Sequence, residues 1–190
     1  MPFVNLTFHK SVTINKLIRN HYSLYNINFI NINLVDSFKI IDIAENIPNN
    51  LINLTFEDIN ASQAIKIENI CNKTYIRDIY FKNINISKVE SLEEVFNNCE
   101  NLRSIYLENI DISQITKIEN IFYSSNQLEN ISLININIPK VVSLKGLFRD
   151  KYCIKNIIFK NIVSDSLIDI SKMFYNTTPI NSLDMKGIDI

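Results

Sequence analysis

Hydrophobic positions recur along the chain with a period of 25 to 27 residues. Seven copies can be aligned, and they start at Leu24, Leu51, Ile76, Leu102, Leu128, Ile154 and Ile180. In every copy, positions 1, 4, 6, 9 and 11 are apolar, and Ser164 is the single polar exception among these 35 places. Self-similarity at a fixed period is typical of solenoids, in which each repeat forms one coil that packs against its neighbours.

The hydrophobic pattern changes within each copy. Positions 4 and 6, such as Ile105 and Leu107, alternate with more polar neighbours, which predicts a β-strand with one buried face. Positions 9 and 11 repeat the alternation and predict a second short strand after a bend. Positions 17, 20 and 21, such as Ile118, Ile121 and Phe122, have the i, i+3, i+4 spacing of a helical face. We therefore expect an α/β repeat fold, with a parallel β-sheet on one face and short helices on the other.

Position 8, between the two predicted strands, is restricted to three residue types. Its occupants are Asn31, Asp58, Asn83, Asn109, Asn135, Asn161 and Gly187. Asn, Asp and Gly tolerate positive φ best, so the pattern favours a left-handed corner in every coil. The alternative is a ladder in which the side-chain amides of stacked coils bond to one another or to neighbouring backbone. Gly187 has no side chain to join such a ladder.

The repeats organise the chain as one solenoid domain over residues 1–190. Residues 1–23 resemble a compressed copy and are expected to form an N-terminal capping coil. Six repeats of 25–27 residues occupy 24–179, and a partial seventh copy occupies 180–190. An atypical first coil is expected, because an internal coil would leave apolar surface uncovered.

The seventh copy ends before any segment that could close its coil. Four of its apolar residues should lie in core rows without a following coil to cover them: Leu183, Met185, Ile188 and Ile190. Either the gene continues, or a second copy or another protein covers this end, or the last strands fold over it. If the chain is complete, we expect self-association here, most simply as a two-fold homodimer.

Composition excludes several classes of function. The net charge is −1 and the pI is about 6.1, so the chain has no global attraction to nucleic acid or to anionic membranes. Its two glycines, Gly146 and Gly187, are too far apart in sequence to form a Gly-rich phosphate loop. No segment approaches the ~18 apolar residues of a membrane span. We expect no cofactor, no nucleic-acid partner and no membrane partner.

Cysteine and histidine usage argues against catalysis and metal binding. Cys71, Cys99 and Cys153 are odd in number and lack CxxC spacing, so we expect neither a disulfide framework nor a zinc site. His9 and His21 lie in the predicted cap, away from the cysteines, which argues against a Cys–His nucleophile. We therefore expect a non-enzymatic protein in a reducing compartment, the cytoplasm, or the host cytoplasm if the source is viral.

The run SKVESLEEVFNNCENL, from Ser87 to Leu102, resembles a known repeat family. Together with SQITKIENIFYSSNQL it is similar to the BspA-like leucine-rich repeats, in the roughly 26-residue variety found in mycoplasma lipoproteins. Val95 to Cys99 matches the family's "MFsgC" segment best, and the likeness covers residues 24–190. The resemblance implies a curved, leucine-rich-repeat-like solenoid that serves as a binding scaffold, often on cell surfaces.

The outward face of the predicted sheet offers a candidate site for a protein partner. Strands of successive coils lie ~4.8 Å apart, so seven coils present a surface ~30 Å long. Tyr and Arg are enriched in interface hot spots, and they are concentrated in the central coils. The candidate residues are Arg77, Tyr80, Lys82, Arg103, Tyr106 and Glu108. The alternative is that the two tyrosines merely stack, and that Glu57, Lys82 and Glu108 form a surface charge ladder.

These observations predict a non-enzymatic protein-binding scaffold that presents an exposed parallel β-sheet to a protein partner. A rigid repeated surface suits this role, because little conformational entropy is lost on binding. Two alternatives stay open: a self-assembling structural protein, and a surface adhesin-like repeat fragment. The sequence does not identify the partner.

Overall fold

A computed structural model describes residues 2–4, 7–8, 25–34, 38–41, 52–71, 74–93, 95–96, 98–118, 120–177 and 180–189. These residues contain twelve β-strands: β1 (Pro2–Val4), β2 (Thr7–Phe8), β3 (Asn26–Leu34), β4 (Phe38–Ile41), β5 (Asn53–Asn60), β6 (Ala64–Glu68), β7 (Asp78–Asn85), β8 (Ser104–Asp111), β9 (Asn130–Asn137), β10 (Asn156–Val163), β11 (Ser182–Asp184) and β12 (Ile188–Asp189). There is no helix among the described residues.

Ten of the strands form one parallel sheet. The six long strands, β3, β5, β7, β8, β9 and β10, stack in that order, and each pairs with the strand one coil later. Equivalent repeat positions lie opposite one another, so that Ile105 of β8 pairs with Ile79 of β7 and Ile131 of β9. A second, two-stranded sheet joins β4 and β6. The fold is a parallel β-solenoid that makes five turns between β3 and β10.

The prediction of short helices on the second face is wrong, and so is the α/β class. The apolar residues at positions 17, 20 and 21 do face the core in most copies, but the segments that contain them form turns. Some of the backbone N–H groups of these segments close i to i−3 turns within the coil, as Leu147 does with the carbonyl three residues before it at 3.1 Å. Others bond to the next coil: Phe148 donates to the carbonyl of Met173 at 2.9 Å, and Asp150 donates to that of Tyr175 at 3.0 Å. A helix would use such N–H groups within itself. Apolar residues spaced i, i+3 and i+4 therefore do not by themselves indicate a helix. The same spacing occurs in turns whose backbone N–H groups bond to the neighbouring coil.

The core lies between the sheet and these turns and follows the predicted rows. Position 4 is buried in every long strand, for example in Leu54 and Ile157, which are fully inaccessible. At position 21 the rings of Phe96, Phe122, Phe148 and Phe174 stack at centroid distances of 5.6 to 5.7 Å. The polar exception, Ser164, is also buried, and its hydroxyl donates to the carbonyl of Ile138 at 3.0 Å. The hydrogen bond compensates the polar group for its burial.

The bend at position 8 is a left-handed corner, as predicted. The six Asn and Asp residues at this position have φ between 53° and 55°, and Gly187 has a φ of 69°. We call these seven residues the ladder corner, because five of them are also joined by side-chain hydrogen bonds. The amide of Asn83 donates to Asp58 at 2.7 Å. In the same direction Asn109 donates to Asn83, Asn135 to Asn109 and Asn161 to Asn135, each at 2.8 Å.

The corner and the amide ladder therefore coexist, although the sequence presented them as alternatives. Positive φ sets the backbone, and the side chains that tolerate it are long enough to reach the next coil. Gly187 is a special case, because a Cβ built there would lie 2.7 Å from Oδ1 of Asn161. Glycine at this position both adopts positive φ and avoids that contact.

The opposite corner of the coils, at repeat positions 19 to 24, is less regular. We call it the turn corner. Residues with positive φ occur at position 19 in Asn69, Gly146 and Lys172, and at position 23 in Asn98, Asp150 and Asn176. The side chains at each position differ from copy to copy, so no single residue type defines this corner.

Candidate functional site

The predicted partner site lies on the outward face of β7 and β8. Tyr80 and Tyr106 are directly opposite in the strand register, and their rings stack with centroids 4.6 Å apart and planes 3° apart. Tyr80 is 38% exposed, and Tyr106 is half-buried. Partial burial is the main reason that the pKa of Tyr80 is raised, and the neighbouring Tyr106 and Asp78 raise it further. The structure therefore brings the two predicted aromatic residues together.

The charged candidates form a row of alternating sign beside the tyrosines. Lys82 contacts Glu57 at 3.1 Å and pairs in register with Glu108. The hydrogen bond to Glu57, with the charge of Glu57 next, raises the pKa of Lys82. One strand further along, Arg103 lies 3.9 Å from Glu129. The stacked pair and the charge ladder are thus confirmed as geometry, while binding of a partner stays a prediction.

Arg77 differs from the other charged candidates. Its side chain is exposed, and it forms no ion pair with any residue that the structure describes. Its backbone carbonyl accepts from the N–H of Arg103 at 2.7 Å, which fixes the residue in the coil before β7. A guanidinium without a carboxylate partner among the described residues can pair with a carboxylate of another molecule.

The residues predicted for self-association lie in the last strands. Leu183 is on β11 and is 47% exposed, whereas Met185 and Ile188 are partly buried against the core. Ile190 lies outside the described residues, as does the predicted cap except for β1 and β2. His9 and His21 also lie outside them. Self-association through this surface stays a prediction.

The expectation that the cysteines stay unpaired is wrong for two of them. Cys71 and Cys99 form a disulfide with their Cα atoms 5.2 Å apart, and both residues are buried. They occupy positions 21 and 24 of adjacent copies, which the stacking of coils brings together. Sequence spacing alone did not show this, because 28 residues separate them. Cys153 is the free cysteine among the described residues.

A second polar site at the turn corner was missed by the sequence analysis. Lys151 is only 4% exposed, and its ammonium donates to the carbonyl of Tyr123 at 3.0 Å and to Oδ1 of Asn126 at 3.3 Å. Burial lowers the pKa of Lys151, and the charge of Asp150 partly opposes this effect. The signal was visible in the repeat: other copies have smaller residues at position 24, such as Thr177.

An open cavity of about 800 Å³ adjoins Lys151, and we call it the corner cavity. Its walls come from three successive coils and include Asn98, Tyr123 and Arg149. Interior apolar cavities of about 60 and 40 Å³ lie in the core, well below the volume that small-molecule sites need. The corner cavity is also larger than the open cavity of about 510 Å³ beside Lys88, and it is therefore the better place for a small ligand.

Among the described residues, no group of three or more His, Cys, Asp or Glu side chains is placed to hold a metal ion. The described part of the chain also has no helix of the length and apolar character needed to cross a membrane.

Comparison with known proteins gives one match. Residues 53–186 match a family described as "Mycoplasma protein of unknown function, DUF285". The matched family is a mycoplasma repeat family, related to the surface repeats suggested by the sequence but not leucine-rich by name. No curated protein and no solved structure matches the chain.

Proposed function

We propose, from the premise that the chain belongs to this mycoplasma repeat family, that it is a non-enzymatic scaffold whose outward sheet face binds a protein partner. The observation that carries the proposal is the stacked Tyr80–Tyr106 pair beside the exposed guanidinium of Arg77. Aromatic residues and arginine are the residue types that dominate binding energy in protein interfaces. We call Arg77, Tyr80, Arg103 and Tyr106 the sheet site.

The rigidity of the sheet site supports this role. Tyr80 and Tyr106 lie on strands paired along their whole length, and stacking holds each ring against the other. A partner would therefore lose little side-chain entropy from this surface on binding. The ion pairs of Lys82 and Arg103 leave Arg77 as the cation best placed for a carboxylate of the partner.

The partner chemistry follows from this arrangement. The flat aromatic pair suits an apolar or planar side chain, and Arg77 suits an aspartate or glutamate next to it. We therefore propose that the partner presents an acidic residue beside an apolar one. The likeness to BspA-like repeats supports the narrower proposal of an adhesin-like role at a cell surface.

Location forms part of the proposal. The sequence suggested the cytoplasm, partly because no disulfide was expected. The pairing of Cys71 with Cys99 removes that reason and favours an oxidising compartment, since cytosolic thiols are usually kept reduced. Thiol alkylation before and after reduction, followed by mass spectrometry of protein taken from native cells, measures the redox state directly. Unpaired Cys71 and Cys99 in native cells would contradict an oxidising location.

The partner site is tested by affinity capture from cells of the source organism with a variant that combines Arg77→Glu and Tyr106→Ala. The matched control combines Lys117→Glu and Tyr175→Ala, which alter an exposed lysine and an exposed tyrosine away from the sheet site. We expect the sheet variant to reduce capture of a specific protein at least about tenfold, the effect of ~1.4 kcal/mol. The control should leave capture unchanged.

The same experiment has outcomes that would overturn the proposal. Loss of capture in the control alone would show that the sheet site is not the contact surface. Equal capture by both variants and the native chain would show the same. Circular dichroism and thermal melts establish that both variants are folded. Light scattering coupled to size exclusion identifies the case in which the captured partner is a second copy of this chain.

A further inference from the structure

The corner cavity is polar, but its charges cancel. Among the residues that the structure describes, the charged ones lining it are Glu100, Arg149, Asp150 and Lys151, two of each sign. Arg149 is already paired with Asp150 at 2.9 Å, and its guanidinium also lies 5.4 Å from the ring centre of Tyr175. A phosphate or sulfate would have to compete with these internal partners. The balance of charge therefore favours a neutral ligand.

Neutral hydrogen-bonding groups make up much of the remaining lining. Asn98, Asn120 and Asn126 contribute side-chain amides, each of which can both donate and accept. A ligand with many hydroxyl groups matches such a surface, because every hydroxyl is also both a donor and an acceptor. The carboxylate of Glu100 adds a strong acceptor for the same kind of ligand.

Lys151 has donor capacity left for a ligand. Its ammonium has three protons, and the described residues provide acceptors for two of them, the carbonyl of Tyr123 and the side chain of Asn126. The residue lines the cavity although it is almost completely buried, so a ligand oxygen or a water molecule there can accept the remaining proton. Position 24 in other copies has Thr74 and Thr177, whose hydroxyls instead donate to carbonyls within their own coil.

Tyr123 gives the cavity an aromatic surface. Its side chain is 78% exposed, the largest exposed fraction among the aromatic residues that the structure describes. An exposed ring at the edge of an amide-rich cavity can pack against the apolar C–H face of a sugar ring while the hydroxyls of that sugar reach the amides. The volume of about 800 Å³ and the open mouth fit a short oligosaccharide or the end of a longer polysaccharide.

We propose that the corner cavity binds a neutral saccharide, with Tyr123 as the stacking platform, Lys151 as a buried donor, and Asn98, Asn120 and Asn126 as hydroxyl partners. The site is independent of the sheet site: it is built from positions 19 to 25 of three coils, on the turn corner. It makes the scaffold bifunctional, with a protein partner on one face and a glycan at the opposite corner.

The proposal is tested with immobilised oligosaccharides. The neutral probes end in glucose, galactose or an N-acetylhexosamine, and the anionic probes carry sulfate or a uronic acid. The saccharide with the strongest signal is then titrated by calorimetry against the native chain, Tyr123→Ala and Lys151→Thr. Threonine is the residue found at the equivalent place in two other copies, so the substitution is compatible with the coil. Tyr75→Ala, which removes another exposed tyrosine, is the control.

We expect a neutral probe to bind with little dependence on salt, because no net charge is neutralised. Tyr123→Ala and Lys151→Thr should each weaken its Kd at least about tenfold, and Tyr75→Ala should leave it unchanged. Three results would overturn the proposal: no neutral probe bound at millimolar concentration, binding confined to anionic probes, or binding unaffected by both cavity variants. Tyr123 is exposed, so its variant remains informative if Lys151→Thr does not fold.

Discussion

The two corners of each coil solve the same geometric problem in different ways. At the ladder corner, every copy places Asn, Asp or Gly at one position, and five of these side chains join in a line of hydrogen bonds. At the turn corner, positive φ occurs at position 19, at position 23 or at both, and one of the residues that adopt it is Lys172. The disulfide and the corner cavity both lie on this second, irregular side.

The contrast between the two corners shows at which positions the side chains of a repeat protein can differ from copy to copy. A substitution at the ladder corner affects the backbone conformation and two hydrogen bonds with neighbouring coils. At the turn corner, the coils are held by backbone bonds such as that between Phe148 and Met173, which do not depend on the side chains. Side chains there can differ between copies, and Lys151 and Tyr123 are the result.

The largest expected effect concerns the disulfide of the turn corner. Cys99→Ser should lower the free energy of unfolding by about 3–4 kcal/mol, because the bond closes a loop with a sequence separation of 28. Urea denaturation measures this loss, and reduction of the native chain should reproduce most of it. Cys153→Ser, at the free cysteine, serves as the control and should change stability by less than about 1 kcal/mol. Equal stability of the native chain with and without reductant would contradict the prediction.

At the ladder corner, two substitutions of one residue separate backbone from side chain. Asn109→Val should cost about 2–3 kcal/mol, since a β-branched residue is strained at positive φ and both ladder bonds are lost. Asn109→Gly loses the bonds without the strain and should cost about 1 kcal/mol. Thermal melts compare the two variants, and equal losses would show that the ladder, rather than the backbone, fixes the corner.

A substitution to glycine at the turn corner is expected to increase the stability of the fold, whereas at the ladder corner it should decrease it. Lys172 has a φ of 55° and no ladder bond, so Lys172→Gly should raise stability by about 0.5–1 kcal/mol by relieving backbone strain. Gly146 already occupies the equivalent position one coil earlier, where φ is 64°. Urea denaturation of Lys172→Gly beside Lys172→Ala, which retains the strain, measures the gain. Destabilisation by glycine here would remove the proposed distinction between the corners.

The smallest expected effect is the dependence of stability on the protonation of Asp150, at the turn corner. A hydrogen bond from Asn176, at 2.8 Å, is the main reason that the pKa of Asp150 is lowered. As the pH falls, the carboxylate of Asp150 is therefore protonated in the unfolded chain before it is protonated in the folded chain. The contribution of Asp150 to the free energy of unfolding is present above the ordinary aspartate pKa of about 3.9 and is lost as the pH falls below that value. Carbon-detected NMR should show the pKa of Asp150 moving upward in Asn176→Ala. An unchanged pKa would show that the bond does not act in solution.

The sequence predicted those parts of the fold that depend on one coil at a time. The buried rows and the positive φ of Asn109 and its equivalents follow from periodicity and residue type, and the structure confirms them. The sequence did not predict the features of the turn corner that depend on how the coils stack. The turn segments were expected to be helical from the spacing of their apolar residues, and that prediction was wrong because acceptors for several of their N–H groups lie one coil away. Cys71 and Cys99 likewise meet only in the assembled solenoid.

The two candidate sites show the same limit. The sheet site was predicted because strand spacing alone places Tyr80 beside Tyr106. The corner cavity was missed because its walls come from three coils and its depth depends on how the turns pack. Lys151 is an unusual residue at its repeat position, and this was visible in the sequence. Only the structure shows that its side chain is buried rather than exposed.

The direction of the hydrogen bonds in the ladder corner bears on how such a protein can change its length in evolution. Each amide donates to the coil before it and accepts from the coil after it, so the middle copies are interchangeable. Loss of residues 102–127 by unequal recombination would bring Asn135 over Asn83 with the donor and acceptor already in the correct order. Genes encoding this fold can therefore gain or lose whole coils without further substitutions at the ladder corner. Selection can then adjust the length of the sheet in steps of ~4.8 Å.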